Sequence, residues 1–181
     1  MAALLAFSGQ LLGNLWLCCE YVPGMSQAPF ENAIFIEAEP ERVARFLTTM
    51  SEHTSLHPLI VAIEEEPSAP GDAPGSRRYR IRDRLRMGPF TFHIQYRATV
   101  WRDASGDIVS DAYQFPAVRL HNVTRCRAEG QGTRVEERVL VRAPWPLLGY
   151  VVEQARRSHQ RMLENLKALL ERGANVPEGG R

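Results

Sequence analysis

Lysine is nearly missing from this 181-residue chain, where Lys167 stands alone beside 21 arginines. Arginine can be written in GC-rich codons and lysine cannot, and the plentiful Ala, Gly and Pro agree with that simple origin. Cysteine is scarce too. Cys18, Cys19 and Cys126 have neither the even count of a disulfide framework nor the spacing of a zinc site. Free thiols in a reducing, cytoplasmic compartment fit them best. Net charge is almost absent, because 22 basic side chains face 21 acidic ones. That balance excludes an acidic disordered chain and argues against nucleic acid as a partner. The chain also lacks a Gly-rich dinucleotide turn, a P-loop, a nucleophile elbow and a zinc motif, so no cofactor is expected.

What is present describes one ordinary folded domain: 44% of the residues are apolar and 24% are charged. A chain of this length buries roughly 70% of its unfolded surface and needs no disulfide or metal to hold a core. The first 24 residues stand apart. Ala2 to Cys19 are apolar except for Ser8, Gln10 and Asn14, but no Lys or Arg precedes them and no small-x-small cleavage site follows. Three readings stay open: an extension preceding a true start near Met25, an export segment, or a membrane-contacting anchor. The last two would replace a cytoplasmic location with an exported or membrane-associated one.

From Ser26 onward the periodicities are clear. Phe30 to Ala38 reads as a strand, and Glu39-Pro40-Glu41 opens a helix with Val43, Phe46, Leu47 and Met50 on one face. Ser51 can cap a second short helix ending near Pro58. Leu59 to Glu66 is a strand, and residues 67–75 have turn composition. Alternating strands follow over 76–87, 90–101, 108–115, 120–128 and 133–143. Each has one polar side, which means an antiparallel sheet wet on one face and covered on the other. The cover is a helix from about Trp145 to Arg172, opened by Pro144 and Pro146. Its apolar stripe is Leu148, Val152, Ala155, Met162, Leu166 and Leu169, with His159 inside it. The last residues, from 174 on, read as a disordered tail.

This order carries a resemblance. IFIEAEPERVARFLTTMSEHTSLHPLI at 34–60 looks like the opening strand and helix pair of the START-like helix-grip superfamily (SRPBCC). GTRVEERVLVRAPWPLLGYVVEQARRSHQRMLENLKALL at 132–170 looks like its last strand and gripping helix. Within that superfamily the chain resembles the polyketide cyclase/dehydrase and lipid-transport family over about residues 28–172. The resemblance implies an α+β fold, a curved seven-stranded antiparallel sheet around the long helix, with a cavity between them for a hydrophobic small molecule. That family has no universal catalytic motif, so no catalytic residue is carried over. An alternative is a collapsed interior packed by Phe90, Phe92, Tyr96, Met162 and Trp145, as in an interaction domain.

Alternation places Asp83 and Glu137 among inward apolar residues, facing the stripe that holds His159. A His beside a carboxylate in an apolar pocket is minimal equipment for proton transfer to or from a carbonyl-bearing substrate. His159, Asp83 and Glu137 are therefore the catalytic candidates of a cofactor-free cyclase or dehydratase, against the alternative of an internal polar network that fixes helix to sheet. The expected ligand wall is Tyr79, Ile81, Phe92, Ile94, Tyr96, Asn122, Thr124, Val139, Val152, Ala155 and Met162, and the resemblance implies that His57, on the second short helix, stands at its mouth. His53 and His57 are four apart, but no third ligand is near, so no metal site is expected. Arg78, Arg80, Arg82, Arg84 and Arg86 share one face of a strand. Glu64 is expected opposite Arg78, with a solvated face or an anionic partner left open.

Overall fold

A computed structural model describes residues 24–87, 89–114 and 117–174. The apolar segment before Gly24, with Cys18 and Cys19, lies outside them, as does the tail expected from 174 on except for Ala174, which is helical. The seven strands are β1 (Met25–Ile36), β2 (Ile60–Glu66), β3 (Arg77–Met87), β4 (Phe90–Arg102), β5 (Ile108–Gln114), β6 (Val118–Glu129) and β7 (Gly132–Pro144). They form one antiparallel sheet in the order β1-β7-β6-β5-β4-β3-β2. First and last strands are neighbours, so the chain closes the sheet before leaving it as a helix.

Three helices cover the inner face: α1 (Pro40–Thr48), α2 (His53–Leu56) and α3 (Trp145–Ala174). Pro40 and Glu41 start α1, which buries Val43, Ala44 and Leu47. Ser51 lies in a single 3-10 turn, Met50–Glu52, rather than capping a helix. The 30 residues of α3 extend about 45 Å.

The two halves of α3 do different work. Its second half buries Leu163, Leu166 and Leu170 in a core with Ile36, Val43, Tyr79 and Val135. Leu169, expected on that stripe, is exposed and Leu170 takes its place. Polar clamps hold this half down. Lys167 Nζ donates to the Phe35 carbonyl at 2.8 Å, Glu171 accepts from the Glu37 amide at 3.0 Å, and Asn165 donates to the Leu56 carbonyl at 2.6 Å. The lone lysine is thus a strap between helix and β1. The first half of α3 spans a space that its side chains do not fill.

The Arg ladder lies on the outer face of β3, but the expected register is two residues off: Arg78 pairs with Glu66, and Arg80 with Glu64. The connection between the paired residues Glu66 and Arg78 is therefore 67–77, two residues longer than the expected 67–75, and inside it Asp72 accepts from the Ala69 amide at 2.7 Å and from Arg78.

Candidate functional site

Beneath the first half of α3 lies a cavity of about 210 Å³. That is more than ten times the roughly 15 Å³ that one water needs by a comparable measure. Sheet residues Ile81, Leu85, Ala98, Val100, Ile108 and Leu120 make its apolar wall, with Val151, Ala155 and Met162 from α3 opposite. The interior is therefore not collapsed. Phe90, Phe92 and Trp145, the side chains that would have filled it, are 65%, 43% and 70% exposed.

Polar groups enter this space at a few points, and strand register explains them. Asn32 on β1 lies directly opposite Glu137 on β7, which also faces Thr124 on β6. Glu137 is buried and takes three hydrogen bonds. Asn32 Nδ2 donates to Oε2 at 3.0 Å, while Asn122 Nδ2 and His159 Nδ1 donate to Oε1, each at 2.8 Å. Thr124 Oγ1 donates to Asn122 Oδ1 at 3.4 Å, which turns the amide's NH₂ toward the carboxylate. Burial would push the Glu137 carboxyl up, but the His159 charge and these donors outweigh it and hold it below the ordinary value. Burial would likewise pull His159 down; the Glu137 charge and hydrogen bond, with a smaller pull from Asp83, raise it instead. Both directions favour the charged pair, an imidazolium against a carboxylate.

A carboxylate only accepts, so His159 Nδ1 carries a hydrogen. Nε2 has no hydrogen-bond partner among the described residues, and it belongs to a ring that lines the cavity. It is the atom a ligand can reach. The ring is wedged edge-on between Phe30, at 5.8 Å, and His57, at 5.9 Å. His57 Nδ1 accepts from the Leu59 amide at 3.4 Å, and burial together with the neighbouring His159 and His53 charges lowers this imidazole to about 3. His57 is neutral. His53, also lowered mainly by burial, donates Nε2–H to the Phe46 carbonyl at 3.1 Å.

Asp83 completes the site from β3. Burial raises its carboxyl to about 6, against the pull of a Tyr96 hydroxyl 3.5 Å away and of His159. Tyr96 itself is pushed well up by burial and by Asp83. The cavity thus offers an N–H donor at His159 and a carboxyl that changes charge near neutral pH, both between apolar walls. Such a set can orient a carbonyl or hydroxyl and pass it a proton.

Of the residues expected on the wall, the structure places Ile81, Tyr96, Asn122, Thr124, Ala155, Met162 and His57 there, with Asp83, Glu137 and His159. The others lie off it. Tyr79 is fully buried in the core cluster that holds Ile36, Val43 and Leu166, with the Arg77 guanidinium 5.5 Å from its ring centre. Val139 and Val152 pack with Phe30 and Ala155 in a second cluster. Phe92 and Ile94 belong to the part of β4 that precedes its first pair with β5, Tyr96 with Gln114. Several residues escaped the sequence reading. Asn32 shares the period of Phe30, Ile34 and Ile36 and was detectable by it; Ser158, Gln154 and Tyr150 widen the helix face beyond its apolar stripe. Among the described residues no group of three His, Cys, Asp or Glu is placed to hold a metal. No described helix is long and apolar enough to cross a membrane.

Solved structures of the same fold are numerous. A protein from Thermus thermophilus, TTHA0849, superposes with a TM-score of 0.64 at 16% identity, over 82% of this chain and 100% of its own. The Zhui aromatase/cyclase from Streptomyces sp. R1128 gives 0.66 at 12% identity, over 86% and 100%. The di-domain ARO/CYC StfQ from the steffimycin biosynthetic pathway gives 0.66 at 13% identity, but this chain spans only 52% of it. A START superfamily protein from Mycobacterium smegmatis gives 0.60 at 13%. Among curated proteins none matches the sequence. The family model for polyketide cyclase / dehydrase and lipid transport matches residues 27–171, nearly the whole described fold, and the chain belongs to that family.

Proposed function

We propose that the protein binds a hydrophobic small molecule, a lipid, isoprenoid or polyketide-like compound, as its carrier or sensor. The observation that supports this most is the cavity itself, walled mainly by apolar side chains, with its titratable groups gathered at His159, Glu137, Asp83 and His57. A ligand with a greasy body and one carbonyl or hydroxyl matches that division. Burying its apolar part contributes roughly 25 cal/mol per Å², and the single polar contact fixes its direction. Native mass spectrometry of protein from its own host tests the reading. A co-purifying mass is expected, and Ala112→Phe, which fills the wall from β5, should release it. A wild-type protein with no bound mass, or a mass that Ala112→Phe retains, sinks the proposal.

A second reading has its own support in the unpartnered Nε2 of His159 beside a carboxyl near pH 6. In a cofactor-free cyclase or dehydratase, His159 would protonate a substrate carbonyl while Asp83 takes a proton from the adjacent carbon. Two proteins of the same fold, Zhui and StfQ, are an aromatase/cyclase and an ARO/CYC, which points the same way. Turnover lost in His159→Asn with ligand affinity kept would favour the enzyme; a wild type that binds its ligand without converting it, and a His159→Asn variant that binds it more weakly, would favour the carrier.

A further inference from the structure

The register brings four stretches to one end of the molecule. Met87 and Phe90 close the β3–β4 hairpin, Gln114 pairs with both Tyr96 and Val118, Leu120 pairs with Val141, and Met25 pairs with Pro144. This end therefore comprises the described residues of 24–30, 82–95, 113–120 and 140–152. Asp83, buried against the cavity, is the one acid in these stretches, which carry Arg82, Arg84, Arg86, Arg119 and Arg142.

Charge compensation on β3 stops short of it. Arg77, Arg78 and Arg80 pair with Glu65, Asp72 and the glutamates at 64 and 66. Arg82, Arg84 and Arg86 are exposed on the same strand, and beside them β4 offers Gln95, His93 and Thr91 in place of acids. No ion pair reaches these three arginines among the described residues.

Exposed apolar side chains gather at the same place. Phe90, Phe92, Tyr113, Trp145, Leu147 and Tyr150 are there, leaving only Val61 and Leu169 of the large exposed hydrophobics elsewhere among the described residues. The cavity opens here as well, since Tyr150 is both exposed and part of its wall. The chain preceding the fold joins it here: the Trp145 amide donates to the Gly24 carbonyl at 3.0 Å. That preceding stretch is uncharged through Cys19.

We propose that this end docks on an anionic lipid bilayer. The unpaired arginines of β3 supply attraction to acidic headgroups, and Trp, Tyr and Phe side chains suit the boundary between headgroups and acyl chains. An acidic protein would satisfy the arginines but would not account for the uncharged apolar run in the sequence that leads to Gly24. The docked pose sets the cavity opening against lipid, so that an apolar ligand crosses between them without meeting water. The docking itself does not depend on what the cavity holds.

Flotation of the full chain with vesicles tests it. Binding is expected to phosphatidylcholine mixed with phosphatidylglycerol, weak binding to phosphatidylcholine alone, and loss at high salt. Replacing Arg82, Arg84 and Arg86 together with Gln should weaken binding roughly 100-fold, at about one headgroup attraction per arginine. Phe90→Ser with Phe92→Ser should weaken it as well, and both variants should keep the wild-type circular dichroism. Arg42, Arg161 and Arg172, exposed away from this end, serve as the control set. Their joint change to Gln should move affinity by less than threefold, or about 0.7 kcal/mol. Equal losses from the two arginine sets would reduce the effect to diffuse charge and overturn the proposal. Unchanged binding in both tip variants would assign it to the residues before Gly24 alone and overturn it too. No flotation at all would leave the surface to an acidic protein.

Discussion

Glu137 on β7 and His159 on α3 stand 22 residues apart in sequence, and their side chains meet at 2.8 Å under the first half of the helix. Breaking a buried pair by removing one partner leaves an uncompensated charge, typically at a loss of about 3–5 kcal/mol. Glu137→Gln keeps the size and removes the charge. Without that charge the burial of His159 dominates, so its imidazole should fall below the usual 6.5 and be neutral at pH 7. NMR titration of the ring protons checks this. A His159 that still titrates above 6.5 in Glu137→Gln would show that another group holds its proton.

His57 and His159 work in opposite directions on stability. His57 is lowered to about 3, so the unfolded chain takes up a proton near 6.5 that the native fold refuses. Its contribution is complete above 6.5 and is lost as pH falls from 6.5 toward 3. His159 is raised, so its contribution is complete below 6.5 and is lost as pH rises through its native value. His57→Gln, neutral at every pH and still able to accept from the Leu59 amide, should flatten the acid limb. Urea unfolding at intervals below 6.5 measures the slope, which should drop by about 1.4 kcal/mol per pH unit.

Most of the architecture was legible because burial acts on period two and period three to four. Pro40 and Pro144 mark helix starts, and the inward sides of β3, β6 and β7 were read correctly down to Asp83, Asn122 and Glu137. Alternation assigns a face, however, and says nothing of how far the cover extends. Phe92 faces the same way as Tyr96, but β4 runs past the end of β5 there and leaves Phe92 exposed. Tyr79 fails for the converse reason, lying in the closely packed core where no cavity remains beside it. The register of β2 on β3 depended on how many residues the 67–77 connection takes up, which has no periodic signature. Asn32 needed a partner strand far away in sequence before its pairing with Glu137 had meaning.

Gly132, at the start of β7, is a tight point in that sheet. A Cβ there would stand 2.4 Å from the Ile36 carbonyl oxygen and 2.6 Å from the Phe35 ring. The ring can turn aside, but the carbonyl belongs to the β1–β7 ladder and cannot move without breaking it. Gly132→Ala should therefore lose about 2 kcal/mol, the middle of the usual range for overpacking, in urea unfolding. A loss under half of that would mean that β1 shifts freely at its end.

Asp83 is the residue whose stability effect and proposed role point in opposite directions. Its carboxyl rises from 3.8 to about 6 because burial penalises the charge. Between those values the native fold holds a proton that the unfolded chain has released, so wild-type stability should fall as pH rises from about 4 to about 6. Asp83→Asn removes that dependence and still offers an acceptor to Tyr96. It should match the wild type at low pH and exceed it above 6 by about 3 kcal/mol, the worth of two pH units. A group kept against stability in a cavity is kept for what it does there. The same variant should therefore bind the co-purifying molecule more weakly, or turn it over more slowly, while melting higher. If Asp83→Asn gains stability and loses nothing in binding or turnover, Asp83 is only a tolerated burial and the polar end of the site reduces to His159 and its carboxylate.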